Sequence, residues 1–186
     1  MGTTDARFQR QALSEHPADP SIRDAATIIV YRSVGPLPES LMGQRGSKAA
    51  FMPDKFVFPG GAVGPEDHGV GFSARPSPTC MARLADKNRS ARPDALIAAA
   101  IRELWEETGL ALGRAGDWPG QVPEDWSTFA ALGFLPTADQ MQFVFRAITP
   151  PGRPRRFAAR LFLVDASHIA GDLDAFSAAS QELSHL

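Results

Sequence analysis

The sequence predicts an α+β domain, and three observations carry that prediction. Short β-branched segments recur before and after the middle of the chain, a single long helical segment separates them, and Gly/Pro-rich stretches punctuate the whole. At 186 residues, with 44% hydrophobic content, the chain is long enough for one domain with a real core. A net charge of −2 fits neither a disordered chain nor a basic nucleic-acid binder, so nucleic acid is not an expected partner.

Residues 1–23 are polar without a clear period and read as an N-terminal arm, leaving 24–186 as the domain. Ala26–Arg32 is short and β-branched, the pattern of a buried strand. Val34–Pro38 reads as a turn, and Ser40–Arg45 as the strand that pairs back. Lys55–Phe58 is a third strand, ending at Pro59-Gly60-Gly61. Residues 62–93 are rich in Gly, Pro and charge and read as an insertion, with a short helix near Cys80–Ala85. Pro93 and Asp94 open a helix that runs to Thr108, where Gly109 can stop it. Two loops carrying Trp118 and Trp126 follow. Thr128–Phe134, Met141–Ile148 and Phe157–Val164 are further strand candidates.

The long helix carries the chemistry. At 100° per residue, Glu103, Glu106 and Glu107 fall within roughly one third of its circumference. Ile97, Ile101 and Leu104 fall on another face, where they can pack. Carboxylates crowded on one face repel unless something positive sits among them. Mg²⁺ or Mn²⁺, which take oxygen ligands, are the natural occupants. Solvated Glu-rich faces are common, so the acidic run gains weight only from its neighbours. Gly60-Gly61 after an apolar strand gives a tight turn with exposed backbone carbonyls.

Gly61 and the run from Arg102 to Leu110 resemble the Nudix box: glycine, five residues, glutamate, seven residues, then Arg-Glu-apolar-any-Glu-Glu-any-Gly-apolar. Two departures stand out. The spacer is read as replaced by the 62–93 insertion, and the expected glutamate as Asp94. The resemblance implies the Nudix fold, a mixed sheet sandwiched between helices, usually closed by a final strand and helix. The chain stops at Leu186, about where that strand would begin. Either the sequence is shortened, or the arm or a second copy of the chain, as a homodimer, covers the sheet.

The resemblance also implies hydrolysis of a phosphoanhydride in a nucleoside diphosphate derivative, with a small-molecule nucleotide as substrate. Glu106 and Glu107 would be the principal metal ligands, with Glu103 a further ligand or the residue that orients water, and the Gly61 carbonyl completing the shell. Arg102 would hold the glutamates in place. Asp94 would either reach the metal or cap the helix. Glu103 is the first choice for general base, with Asp172 or Asp174 behind it.

Leu41-Met42-Gly43-Gln44-Arg45 stands before Phe58-Pro59-Gly60-Gly61 at the distance of a signature found in coenzyme A-cleaving relatives, although Ala50 and Asp54 replace its second arginine and its glycine. Phe51-Met52-Pro53, Thr149-Pro150 and Pro154-Arg155-Arg156-Phe157 are similar to a peroxisomal-type acyl-CoA diphosphatase subgroup whose box is also split. Arg45, Arg155 and Arg156 would then bind coenzyme A phosphates. The competing readings are an ADP-ribose, nucleotide-sugar or dinucleotide pyrophosphatase, in which Trp118 and Trp126 would stack the base, and a non-catalytic nucleotide-binding module.

Cys80 is the only cysteine, which excludes an internal disulfide and suits a reducing, cytoplasmic setting. No signal peptide or membrane-length apolar run is expected, and Ala6 argues against myristoylation of Gly2. Ser184-His185-Leu186 differs in one residue from a peroxisomal address.

Overall fold

The computed structural model describes residues 22–47, 53–86, 92–174, 176, 183–184 and 186. Residues 1–21 of the expected 1–23 arm, and Ala50, Phe51, Met52 and His185, lie outside them. No described helix is long and apolar enough to cross a membrane.

The main sheet is built on β1 (Ile22–Val34), which has β9 (Arg156–Asp165) as its parallel neighbour over Ile22–Tyr31. β8 (Gln142–Ile148) pairs antiparallel with β9 on the outside. On its other edge β1 pairs antiparallel with two segments, β2 (Leu37–Ser40) and β5 (Gly60–Ala62). One parallel pairing among antiparallel ones makes the sheet mixed. β3 (Gly43–Arg45), β4 (Phe56–Val57) and β10 (Leu183–Ser184) form a second, small sheet, and β6 (Gly113–Ala115) pairs with β7 (Phe134–Pro136).

Along β1, Ala26, Ile28 and Val30 point into the core, and Phe162 and Val164 on β9 do the same. The long helix α2 (Pro93–Thr108) covers them, with every side chain from Ala95 to Ile101 fully buried. Four of those seven are alanines, so the helix can approach the sheet closely on one side and α1 (Pro78–Ala85) on another. α1 packs on β8, where Cys80 Sγ accepts a bond from the Phe143 N–H.

Two expected strands are revised. The partner of β1 is Leu37–Ser40, after a turn at Gly35-Pro36, and not Ser40–Arg45. The strand breaks at Leu41-Met42, and β3 begins at Gly43, where only glycine fits because a Cβ would lie 2.8 Å from the Leu183 side chain. Thr128–Phe134 is mostly not a strand. Ser127–Ala130 forms the short helix α3, which keeps Trp126 and Phe129 on the same side, in edge contact at 5.4 Å and both buried. Burial of two large rings three residues apart favours helix over the alternation a strand needs.

Candidate active site

Helix α2 delivers its acids because its apolar residues have somewhere else to go. Ile97, Ile101 and Leu104 are fully buried, which turns Glu103 and Glu106 toward the partly exposed side. The helix stops at Gly109, whose φ of 74° suits glycine and whose N–H donates to the Trp105 carbonyl at 2.8 Å. Thr108 Oγ1 donates to the Leu104 carbonyl and accepts the Leu110 N–H, so the last turn is closed from within.

The Gly-Gly turn meets this helix end. Glu107, 2% exposed, accepts the Gly60 N–H at 2.9 Å. Gly60 is hemmed in, since a Cβ would lie 2.7 Å from Thr27 Cα, and at Gly61 a Cβ would collide with the Glu103 carboxylate. Both glycines therefore serve close approach, one to strand β1 and one to an acid.

Arg102 is the hub. Its side chain is 9% exposed, and its Nε and Nη2 donate to the two oxygens of Asp67 at 3.0 and 3.2 Å. Nη1 reaches Glu106 at 2.8 Å and Glu103 at 3.0 Å, while Nη2 also donates to the Ala62 carbonyl at 3.1 Å. Asp67, with a side chain fully buried, also accepts the Gly64 N–H at 2.8 Å. Burial alone would lower the Arg102 pKa. The bond to Asp67 and the charges of Glu103, Asp67 and Glu106 more than offset this and raise it. Glu106 moves up as well: burial dominates, Arg102 pulls back, and Asp125 and Asp67 add repulsion.

Asp94 does not cap the helix. It lies in the first turn of α2, bonded to Arg75 at 2.7 Å, and the N-cap position belongs to Arg92. The acid that faces Arg102 is Asp67, which follows Gly61 by the five residues Ala62–Glu66. The spacer is thus intact, and the extra chain lies after Asp67 instead of between Gly61 and the acid. Counting five residues from Gly61 would have found it. Asp67→Asn is expected to lower stability by about 3 kcal/mol, because it breaks a buried pair. Asp94→Asn should change it by less than about 0.5 kcal/mol, since Arg75 is largely exposed. Urea unfolding of both variants checks this contrast, and equal losses would contradict it.

The structure brings together Gly61, Arg102, Glu103, Glu106 and Glu107, and adds Asp67 and Asp125. Asp125 sits in a short 3-10 helix, Glu124–Trp126, whose backbone N–H at Asp125 donates to Glu66. Other expected residues lie elsewhere. Arg45 is on β3, Arg155 is exposed in the turn before β9, and Arg156 opens β9 with its Nε donating to the Thr149 carbonyl. Asp174 pairs with Arg32, and Asp172 accepts the Asp174 N–H. Trp126 is fully buried against Phe129 and Trp118, and Trp118 Nε1 donates to the Phe134 carbonyl.

No family model matches the sequence. A Caenorhabditis elegans protein named as a nudix hydrolase, number 7, is 31% identical over 156 residues, 77% of this chain. The chain spans 44% of that relative's length. The crystal structure of a NUDIX hydrolase from Alicyclobacillus acidocaldarius is similar with a TM-score of 0.64 at 28% identity, over 88% of this chain and 77% of that one. The chain has the Nudix fold. The residues that resemble the Nudix box run from Gly61 through Asp67, are interrupted by the insertion, and resume at Arg102.

A divalent cation fits the chemistry of this site. Glu103, Glu106, Glu107, Asp67 and Asp125 outnumber the guanidinium of Arg102, and all offer hard oxygen donors. Among the described residues no three His, Cys, Asp or Glu side chains converge as a ready-made cage. The acids turn toward Arg102 and the Gly60 N–H instead.

Proposed function

We propose that the chain is a divalent-metal-dependent Nudix hydrolase that cuts a phosphoanhydride in a nucleoside diphosphate derivative, with coenzyme A or an acyl-CoA as substrate. The observation that carries this reading is the buried Arg102–Asp67 pair, from which Arg102 also reaches Glu103 and Glu106. Such a hub costs desolvation of both partners and is weak evidence for stability alone. It makes sense where acids must be held in register.

Glu103, Glu106 and Glu107, with the Gly61 carbonyl, would hold Mg²⁺ or Mn²⁺. A bound cation supplies Lewis-acid neutralisation of the diphosphate oxygens and activates water. The protein's own part is positional. The Gly60 N–H fixes one oxygen of Glu107, and Arg102 keeps Glu106 from turning away. Glu103, whose carboxylate lies over Gly61, would take a proton from the attacking water on a carboxylate oxygen.

Two features support coenzyme A. One is the Leu41–Arg45 signature at its distance from Phe58-Pro59-Gly60-Gly61. The other is a cavity of about 200 Å³ just past the end of α2, lined by Leu41, Met42, Leu110 and Leu173 and by Arg32 with its partners Glu39 and Asp174. It lies some 10 Å along β1 from the Gly60 level, and the apolar part of its wall would take an acyl or pantetheine group. The base-stacking alternative loses Trp126, which is fully buried.

Arg45→Ala is expected to raise KM for coenzyme A more than for dephospho-coenzyme A, because only the former carries the 3′-phosphate that Arg45 would bind. Equal effects in steady-state assays would remove that role. The reading as a whole is tested by mass spectrometry of products from coenzyme A, an acyl-CoA, NADH, ADP-ribose and a diadenosine polyphosphate. Release of 3′,5′-ADP with a phosphopantetheine product is expected. AMP from the other substrates would move the substrate class, and ligand binding without any product would favour a non-catalytic module.

A further inference from the structure

We propose that Glu66 is a positioning residue that holds the Asp125 carboxylate beside Glu106, where its charge strengthens the hold on a divalent cation; this deepens the metal-dependent hydrolase reading and rests on it.

Two short 3-10 helices meet at this point, and each is anchored by one buried residue. In Pro65–Gly69 the anchor is Asp67, whose side chain is fully buried on Arg102. A 3-10 helix turns about 120° per residue, so Glu66, one position earlier, leaves the side of the hub and is only partly buried. In Glu124–Trp126 the anchor is Trp126, fully buried against Trp118 and Phe129 with ring centroids 5.8 and 5.4 Å away. Asp125 precedes it and is turned outward, where it is exposed. Its N–H is one of those that a helix start leaves without an internal partner. It donates to Glu66 Oε2 at 2.8 Å, joining segments 59 residues apart.

This clamp brings like charges together. A Cβ on Gly64 would lie 3.6 Å from Asp67 Oδ2 and 4.0 Å from Asp125 Oδ2, so both carboxylates stand beside that glycine. The charges of Asp125 and Asp67 both act on Glu106. Asp67 is matched by Arg102, whereas Asp125 makes no ion pair among the described residues. A hydrogen bond at the surface contributes little to stability, and one that keeps an unmatched carboxylate next to Glu106 works against it. The arrangement makes sense where a cation joins the acids, because each added negative charge then attracts it. Asp125 needs no direct bond to the ion for this, and Glu66 acts only through Asp125.

Amide hydrogen exchange at Asp125, followed by NMR in the metal-free protein, reads the clamp itself. Glu66→Ala should speed exchange there by about tenfold. Glu66→Gln, whose amide oxygen can accept the same bond, should stay within about threefold of wild type. Electron paramagnetic resonance of Mn²⁺ without substrate reads the cation. Asp125→Asn and Glu66→Ala should each weaken Mn²⁺ by about three- to tenfold, and Glu66→Gln by less than about twofold. Adding Glu66→Ala to Asp125→Asn should cause no further loss. Equal losses in Glu66→Gln and Glu66→Ala would mean that Glu66 acts by its own charge, and would overturn the proposal. So would an Asp125 amide indifferent to Glu66→Ala, an Mn²⁺ affinity that Asp125→Asn leaves unchanged, or a wild type that binds no Mn²⁺ at millimolar concentration. The expected pattern in a chain that hydrolyses none of the substrate panel would sink the hydrolase reading and leave Glu66 its role.

Discussion

Arg102→Ala is expected to destabilise the fold by about 3–5 kcal/mol and to abolish turnover. The loss is large because Asp67 would keep its buried charge with, among the described residues, only the Gly64 N–H beside it. Glu103 and Glu106 would lose the group that draws them together, and the Ala62 carbonyl would lose a donor. Arg102→Lys separates the two consequences. A lysine keeps the charge but cannot donate to both oxygens of Asp67 while reaching Glu106, so it should recover much of the stability and little of the activity. Urea unfolding and product assays on the pair of variants check this. An alanine variant within about 1 kcal/mol of wild type would mean that the buried pair is not what organises the site.

Glu106→Gln is expected to reduce turnover by about a hundredfold or more with the fold intact. Even residues that only support metal ligands cost about 10–100-fold when removed, and a ligand charge should cost at least that. Stability should change little, because the side chain is 38% exposed and its charge is already opposed by Asp125 and Asp67. Near-normal rates at saturating Mg²⁺ would remove Glu106 from the metal shell.

Much of this was legible in the sequence because it is local. The apolar spacing of Ile97, Ile101 and Leu104 sets the orientation of α2, and the same spacing aims Glu103 and Glu106 outward. Gly109 marks the stop, and the β-branched run marks β1. What escaped depends on contacts between distant segments. Asp67 was hidden because an acid also stands eight residues before Arg102, at Asp94. Only burial distinguishes an acid held by Arg102 from one bonded to an exposed arginine. A β-bulge between Phe143 and Phe145 on β8 decides which face Arg146 takes, and nothing in Phe143-Val144-Phe145 announces it. The helix at Ser127–Ala130 follows from where Trp126 and Phe129 find their core, which a short β-branched pattern cannot show.

The most direct measurement is a Mn²⁺ titration followed by electron paramagnetic resonance, on wild type and Glu106→Gln side by side, with nucleotide release assayed at each concentration. If the acids of α2 hold the catalytic cation, wild type should sequester Mn²⁺ and turnover should rise with the bound fraction, while Glu106→Gln should bind it at least about tenfold more weakly. Equal Mn²⁺ binding by both proteins, or turnover that persists in EDTA, would contradict it.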